Sequence, residues 1–233
     1  MPGKRSELCT ISRDAIVFAG CRIPFASKVK SLGVTLDSSA LSMKQQINTA
    51  CRDCYFHIRH IISKIRKFLS QESVVKLVSC FVLSRLDYCN SLLADLPTES
   101  INKLQYVQNC AARLVFGIRK REHITPALKT LHWLPISQRI HYKLSLLGYK
   151  SFNSLLPSYL SDFLSPYTVC RTLRSTSDIT RLSVPRYRLE HYGKRAFSRY
   201  APSVWNSLPA VLRETNTTNS FKTHLKTHLF RSI

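Results

Sequence analysis

The stretch from Gln71 to Ile118 constrains the fold more than any other. It opens with Val74, Val75, Leu77, Val78, Cys80, Phe81, Val82 and Leu83, a segment apolar on every side. A helix without a polar face is usually a buried one. The pattern continues to Leu92 and Leu93, and residues 94–100 then read as a turn. Thr98 is placed to cap a second helix, and Glu99 suits the positive end of its dipole. That helix carries Ile101, Leu104, Gln108, Ala111 and Val115 at three-to-four spacing, with Gly117 as its stop. Two helices with a short connection pack as an antiparallel hairpin.

A third helix is predicted before the hairpin, over Leu41 to Leu69. Ile47, Cys51, Cys54, Ile58, Ile61, Ile65 and Phe68 alternate by four and three, which makes one apolar stripe. Arg52, Arg59 and Arg66 lie off that stripe, and Lys64 and Lys67 add to a basic end. Upstream, the short apolar runs Ala15 to Phe18 and Val29 to Leu36 are punctuated by Gly20 and Gly33 and predict a small β-hairpin. Gly33 reads as a strand glycine, at a bulge or a close backbone approach.

Downstream, Ile124 to Trp133 predicts a short helix broken by Pro135. A longer helix over Ser137 to Asn153 follows, with Ile140, Leu144, Leu147 and Tyr149 inward and Arg139, Lys143 and Lys150 outward. Val169 to Arg188 lacks helical periodicity and reads as a loop, with short strands near Thr180 to Val184. Two helices, Lys194 to Val211 and Asn219 to Phe230, close the chain. The expected fold is mainly α: a short N-terminal β-hairpin over residues 1–40, a helical bundle over 41–165, and a smaller C-terminal loop-plus-helix segment over 166–233.

The charge narrows the partners. Lys and Arg number 35 against 13 acidic residues, a formal net charge of +22. A globular chain this basic expects a polyanion. Arg52, Arg59, Lys64, Arg66 and Lys67, with the link Arg119-Lys120-Arg121, are the candidate phosphate contacts. Spread over several segments rather than one base-reading motif, they predict non-specific binding. No apolar run reaches the ~18–20 residues that span a bilayer. Ala15-Ile16-Val17-Phe18-Ala19 is too short and too far in for a secretory signal. The eight Cys sit mostly in apolar runs, as free thiols of a reducing compartment do. An intracellular location, cytoplasmic or nuclear, is expected.

Catalytic chemistry is not visible. The chain has no Asp-Asp pair, no Gly-rich phosphate loop, no Ser/His/Asp order and no His-Glu zinc motif. Asp37 and Asp87 read as structural, as a cap or a salt link to a local Arg such as Arg85. Cys51, Cys54, His57 and His60 step by three along one helix. Such steps wind about 60° each and cannot close a tetrahedron around zinc. No metal, cofactor or small-molecule substrate is expected for this chain.

Particular strings add a resemblance. Leu86-Asp87-Tyr88-Cys89-Asn90-Ser91-Leu92-Leu93 comes first, then Leu104-Gln105, Gln108-Asn109 and Ala111-Ala112-Arg113-Leu114-Val115. They resemble the region after the palm in reverse transcriptases of non-LTR (LINE-type, jockey- or CR1-like) retrotransposons. Leu32-Gly33-Val34-Thr35-Leu36-Asp37 is similar to the box that closes the palm. Leu131-His132-Trp133-Leu134-Pro135, Pro157-Ser158-Tyr159-Leu160 and Ala201-Pro202-Ser203-Val204-Trp205-Asn206-Ser207-Leu208-Pro209 resemble later blocks of the same family. Asp95 departs from the small residue expected before Leu96-Pro97, and Ser38-Ser39-Ala40-Leu41 is one residue longer than the family pattern.

The resemblance spans about residues 15–230. It implies the palm end, the thumb and the segment after it, without the carboxylates that hold Mg²⁺ in the catalytic palm. The implied role is a truncated part of an RNA-directed DNA polymerase, inactive alone, that helps to bind an RNA–DNA or DNA duplex. The alternatives are a host-retained basic RNA- or DNA-binding module and an inert retroelement relic.

Overall fold

In the computed structural model, which describes residues 9–11, 15–37, 41–168 and 180–232, two dipeptides with positive φ shape the N-terminal strands. β1 (Cys9–Ile11) pairs antiparallel with β2 (Ala15–Phe18). Ala19-Gly20, at φ 48° and 78°, turns β2 into β3 (Cys21–Pro24). Leu32-Gly33, at φ 47° and 81°, turns β4 (Lys28–Ser31) into β5 (Val34–Asp37). Two-residue turns with both φ positive match the twist of paired strands. A three-stranded and a two-stranded antiparallel sheet result, in place of the single hairpin predicted. Gly33 is therefore a turn residue and not a strand glycine; its φ is one that side chains resist.

Asp37 ends β5 buried, and its two oxygens accept from the N–H and the Oγ of Ser42, each at 2.8 Å. It is a local cap, as expected. The extra residue expected within 38–40 lies outside the described residues. The chain forms two compact units, residues 1–46 and 47–233.

The boundary falls within α1 (Lys44–Phe56), which runs through a π-helical turn (His57–Ile62) and α2 (Ser63–Ile65) into a 3₁₀ turn (Arg66–Phe68). The π turn rotates each residue less than an α turn and shifts the buried face. Ile47, Cys54, Ile58 and Ile62 are buried, whereas Ile61, Ile65 and Phe68 of the predicted stripe are exposed.

α3 (Gln71–Val78) is capped by Ser70, whose Oγ accepts from Ser73 N–H at 3.2 Å. It runs through a second π turn (Ser79–Leu83) into α4 (Ser84–Asp87). Val74, Val78 and Val82 form its buried stripe, joined by Leu83 and Leu86. Cys80 and Phe81 are exposed, so the segment is not buried on every side. The helix also stops earlier than predicted: Cys89 takes φ 52°, and a 3₁₀ turn (Asn90–Leu93) follows.

α5 (Thr98–Phe116) completes the hairpin, and Gly117 at φ 68° ends it as predicted. Pro97, not Thr98, occupies its N-cap position, without a side-chain cap. α6 (Thr125–Thr130) leads to α7 (Ile136–Phe152). Gln108, fully buried on α5, donates from Nε2 to Leu134 O at 2.9 Å, and Gln105 Oε1 accepts from Ile136 N–H at 2.9 Å. These two glutamines fix the corner at which α7 starts.

α8 (Ser158–Ser161) is one turn. Of the loop expected over Val169 to Arg188, residues 169–179 lie outside the described residues. Near its end Leu182 makes a single antiparallel bridge to Pro166. Asn206 clamps Leu182, accepting from its N–H at 2.9 Å and donating to its carbonyl at 2.8 Å. α9 (Glu190–Gly193), α10 (Phe197–Asn206), α11 (Ala210–Arg213) and α12 (Thr218–Arg231) follow. The predicted Lys194–Val211 helix is split before Pro209, which takes the N-cap position of α11, whereas Pro202 is kept inside α10.

Across the boundary expected near residue 165 one core is shared. Leu134 and Tyr149 pack with Leu182, Trp205, Phe221 and Leu225. Trp205 is fully buried and donates from Nε1 to Thr180 O at 2.7 Å. It is a packed aromatic whose polar edge is satisfied.

Candidate nucleic-acid interface

Arg66 organises the basic end of the first long helix. Its Nε donates to Leu114 O and its Nη2 to Val115 O, both at 3.0 Å. These carbonyls belong to the last turn of α5, the negative end of that helix. Arg66 thus ties the Lys64–Lys67 segment to the point where α5 gives way to Arg119-Lys120-Arg121. A half-buried side chain committed to two carbonyls is a helix cap before it is a phosphate contact.

Lys64 and Lys67 are exposed beside it, and the Lys67 ammonium lies 4.8 Å from the centre of the exposed Phe68 ring. The Arg59 guanidinium lies over Tyr55 at 5.1 Å. Arg119, Lys120 and Arg121 are all exposed. The Arg119 N–H donates to Glu122 Oε1 at 3.1 Å, and Arg113 Nη2 donates to Glu122 O at 3.2 Å, so the link is held against the end of α5. The structure therefore gathers Lys64, Lys67 and Arg119 to Arg121 at one end of the second unit. Arg52 is not part of that end. It lies about 18 Å from Lys64 along the helix and leans on Asp53 at 3.9 Å.

Exposed aromatics on this helical segment are not evident in the sequence. Phe56, Phe68 and Phe81 are exposed, and His60 lies 5.2 Å from Phe56, ring to ring. The periodicity places Phe68 in the apolar stripe and Phe81 in a fully buried segment. The two π turns undo both assignments. Of these rings Phe68 lies beside a cation, Lys67, and a flat ring next to a cation suits a stacked base as well as a phosphate.

The Cys and His residues of the same helix are otherwise engaged. Cys54 is buried with its Sγ 3.8 Å from Val82 O, and its thiol is pushed up to about 12, by burial first and by Cys51 and Asp53 after it. His57 stacks on Phe81 with ring centres 5.1 Å apart. Among the described residues no three His, Cys, Asp or Glu side chains gather as a metal site.

Asp87 has a different partner from the local one expected. Arg139 Nη1 donates to its Oδ2 at 2.5 Å, and Arg85 leans instead on Asp53 at 3.8 Å. Burial raises the Asp87 carboxyl above its ordinary value, and Arg139 opposes that rise. Arg139 is accordingly turned inward, not outward as the helical pattern suggests. Its side chain is 15% exposed and its Nε donates to Leu134 O at 2.8 Å.

The described residues include no helix long and apolar enough to cross a membrane. Compared with protein-family models, with curated proteins and with solved structures, the chain matches none.

Proposed function

We propose that this chain is the palm end, thumb and following segment of a LINE-type retrotransposon reverse transcriptase, and that it holds template–primer duplex without regard to sequence. The observation that carries the binding half is the meeting of Lys64 and Lys67 with Arg119 to Arg121 at one end of the helical unit, through the Arg66 cap. The strings that resemble the family carry the other half. The mainly helical second unit agrees with both. So does the N-terminal unit, whose strand residues Phe18, Ile23 and Val29 are exposed as in strands made to be covered by more protein.

The role is electrostatic. Ammonium and guanidinium groups displace the counterions of phosphates, and the gain is independent of sequence. The A-form RNA–DNA hybrid is the preferred duplex, recognised by shape. Polymerisation itself needs two Mg²⁺ ions on carboxylates, which the family carries in an Asp-Asp turn, and this sequence contains no Asp-Asp pair. The six free cysteines described agree with a reducing, intracellular setting.

The test is a charge reversal at exposed positions. Lys64→Glu with Lys67→Glu should weaken hybrid binding in an anisotropy titration and flatten the salt slope by roughly one unit for each phosphate no longer neutralised. Helical circular dichroism should not change. Unaltered binding in a folded double variant would remove these residues from the interface.

A further inference from the structure

A second basic feature of the helical unit shares no residue with that interface. Two cavities of about 350 and 430 Å³ adjoin between α4, α7 and α12, since His132, Tyr142 and Lys226 line both. Sites for small molecules run from ~300 to 1,000 Å³. Lys143 lines the first cavity, Lys222 the second and Lys226 both. None of these three lysines has a carboxylate within ion-pair distance among the described residues. The carboxylate that lines the cleft, Asp87, is held by Arg139 at closer range than by Lys143, whose charge also acts on it, and the Lys226 ammonium lies 5.9 Å from the centre of the Phe230 ring. Like charges that share a cleft repel, and an anion between them relieves the repulsion.

A second observation points to more than an anion. Asn90 lines the 350 Å³ cavity, is 5% exposed, and its Oδ1 has no hydrogen-bond partner. Its Nδ2 faces Asp87 Oδ1 at 3.5 Å, which leaves the carbonyl end unused. A buried acceptor without a donor is rare in folded proteins. The missing partner is an N–H or O–H donor. The ring of Tyr142 and that of His132, set edge-on to Phe230 at 6.3 Å, flank the cleft with flat surfaces.

We propose that this cleft binds a nucleotide, its phosphates on Lys143, Lys222 and Lys226 and a sugar hydroxyl or base N–H donating to Asn90 Oδ1. Lysine is a point charge suited to phosphate oxygens. A free nucleoside triphosphate and the phosphorylated 5′ end of a strand offer the same groups.

The test uses the full chain at about 0.15 M salt, where long-range attraction is screened, with calorimetric titration of ATP and of inorganic tripolyphosphate. ATP should bind at one site per chain and more tightly than tripolyphosphate. Lys143→Ala with Lys226→Ala, both on exposed positions, should weaken ATP roughly tenfold or more. Lys64→Glu with Lys67→Glu should leave ATP unchanged, which separates this site from the duplex interface. Asn90→Ala, if folded by circular dichroism, should bring ATP down to the level of tripolyphosphate. Competition by a 5′-triphosphorylated oligonucleotide, and not by its 5′-hydroxyl twin, supports the strand end. Equal failure of both oligonucleotides to displace ATP supports the free nucleotide. Absence of ATP binding, equal affinity for ATP and tripolyphosphate, or full affinity in the double lysine variant would overturn the proposal.

Discussion

Gly148 shows how one residue fixes the packing of the second unit. A Cβ there would meet Trp205 Cε3 at 3.1 Å and Trp205 Cβ at 3.2 Å. In an open helix, glycine to alanine gains roughly 0.5–1 kcal/mol. Overpacking a filled core costs about 1–3 kcal/mol. Trp205 is held by Thr180 and by rings on three sides, Tyr149, Phe152 and Phe221, and has little room to move. The second effect wins, so Gly148→Ala should destabilise by about 1–2 kcal/mol, read from the urea midpoint. A gain in stability would mean that the tryptophan yields. Single residues are legible in the sequence where the cause is local. The left-handed stop at Gly117 and the cap at Asp37 need only their neighbours in the chain. Asp87 cannot be paired in advance, because Arg139 lies 52 positions away and only the fold brings it near. The partner of the Trp205 Nε1, the Thr180 carbonyl, is likewise brought near only by the fold.

At the level of elements, the helices are readable and their phases are not. The stripe from Ile47 to Ile58 emerges where predicted, then shifts at the His57–Ile62 π turn so that Ile62 replaces Ile61 inside. A π turn has no fixed letter pattern, and spacing alone cannot reveal it. The Ser79–Leu83 π turn likewise belongs to a helix that exposes Phe81. Exposed Phe81 and Phe68 are therefore consequences of phase, and Phe68 comes to lie beside Lys67. Arg66 is the element-scale hinge between charge and structure. Its two bonds to the end of α5 are charge-assisted and oppose a helix dipole. Arg66→Ala should cost about 1–3 kcal/mol, whereas exposed Lys67→Ala should stay within about 0.5 kcal/mol, both by urea unfolding. Equal costs would deny Arg66 its capping role. Reversal of Arg66 would mix folding with binding, so Lys64 and Lys67 are the cleaner probes of the interface.

At the level of the whole molecule, a mainly helical chain with strands at its N-terminus is legible from periodicity, and the polyanion partner is suggested by a net charge of +22. The shared core is less visible. Leu182, after a stretch without helical pattern, is buried against Trp205 and pinned by Asn206. The lysine cleft is hidden for the same reason, since Lys143 and Lys226 sit on helices far apart in sequence. The basic end formed by Lys64, Lys67 and Arg119 to Arg121 holds the central claim, that the chain binds duplex through its phosphates. The direct measurement is the affinity of the whole chain for an RNA–DNA hybrid across a salt series. With about six phosphates neutralised, log affinity should fall against log salt with a slope of roughly −4 to −6. A slope near zero, or no measurable binding at low salt, would contradict a phosphate-holding role.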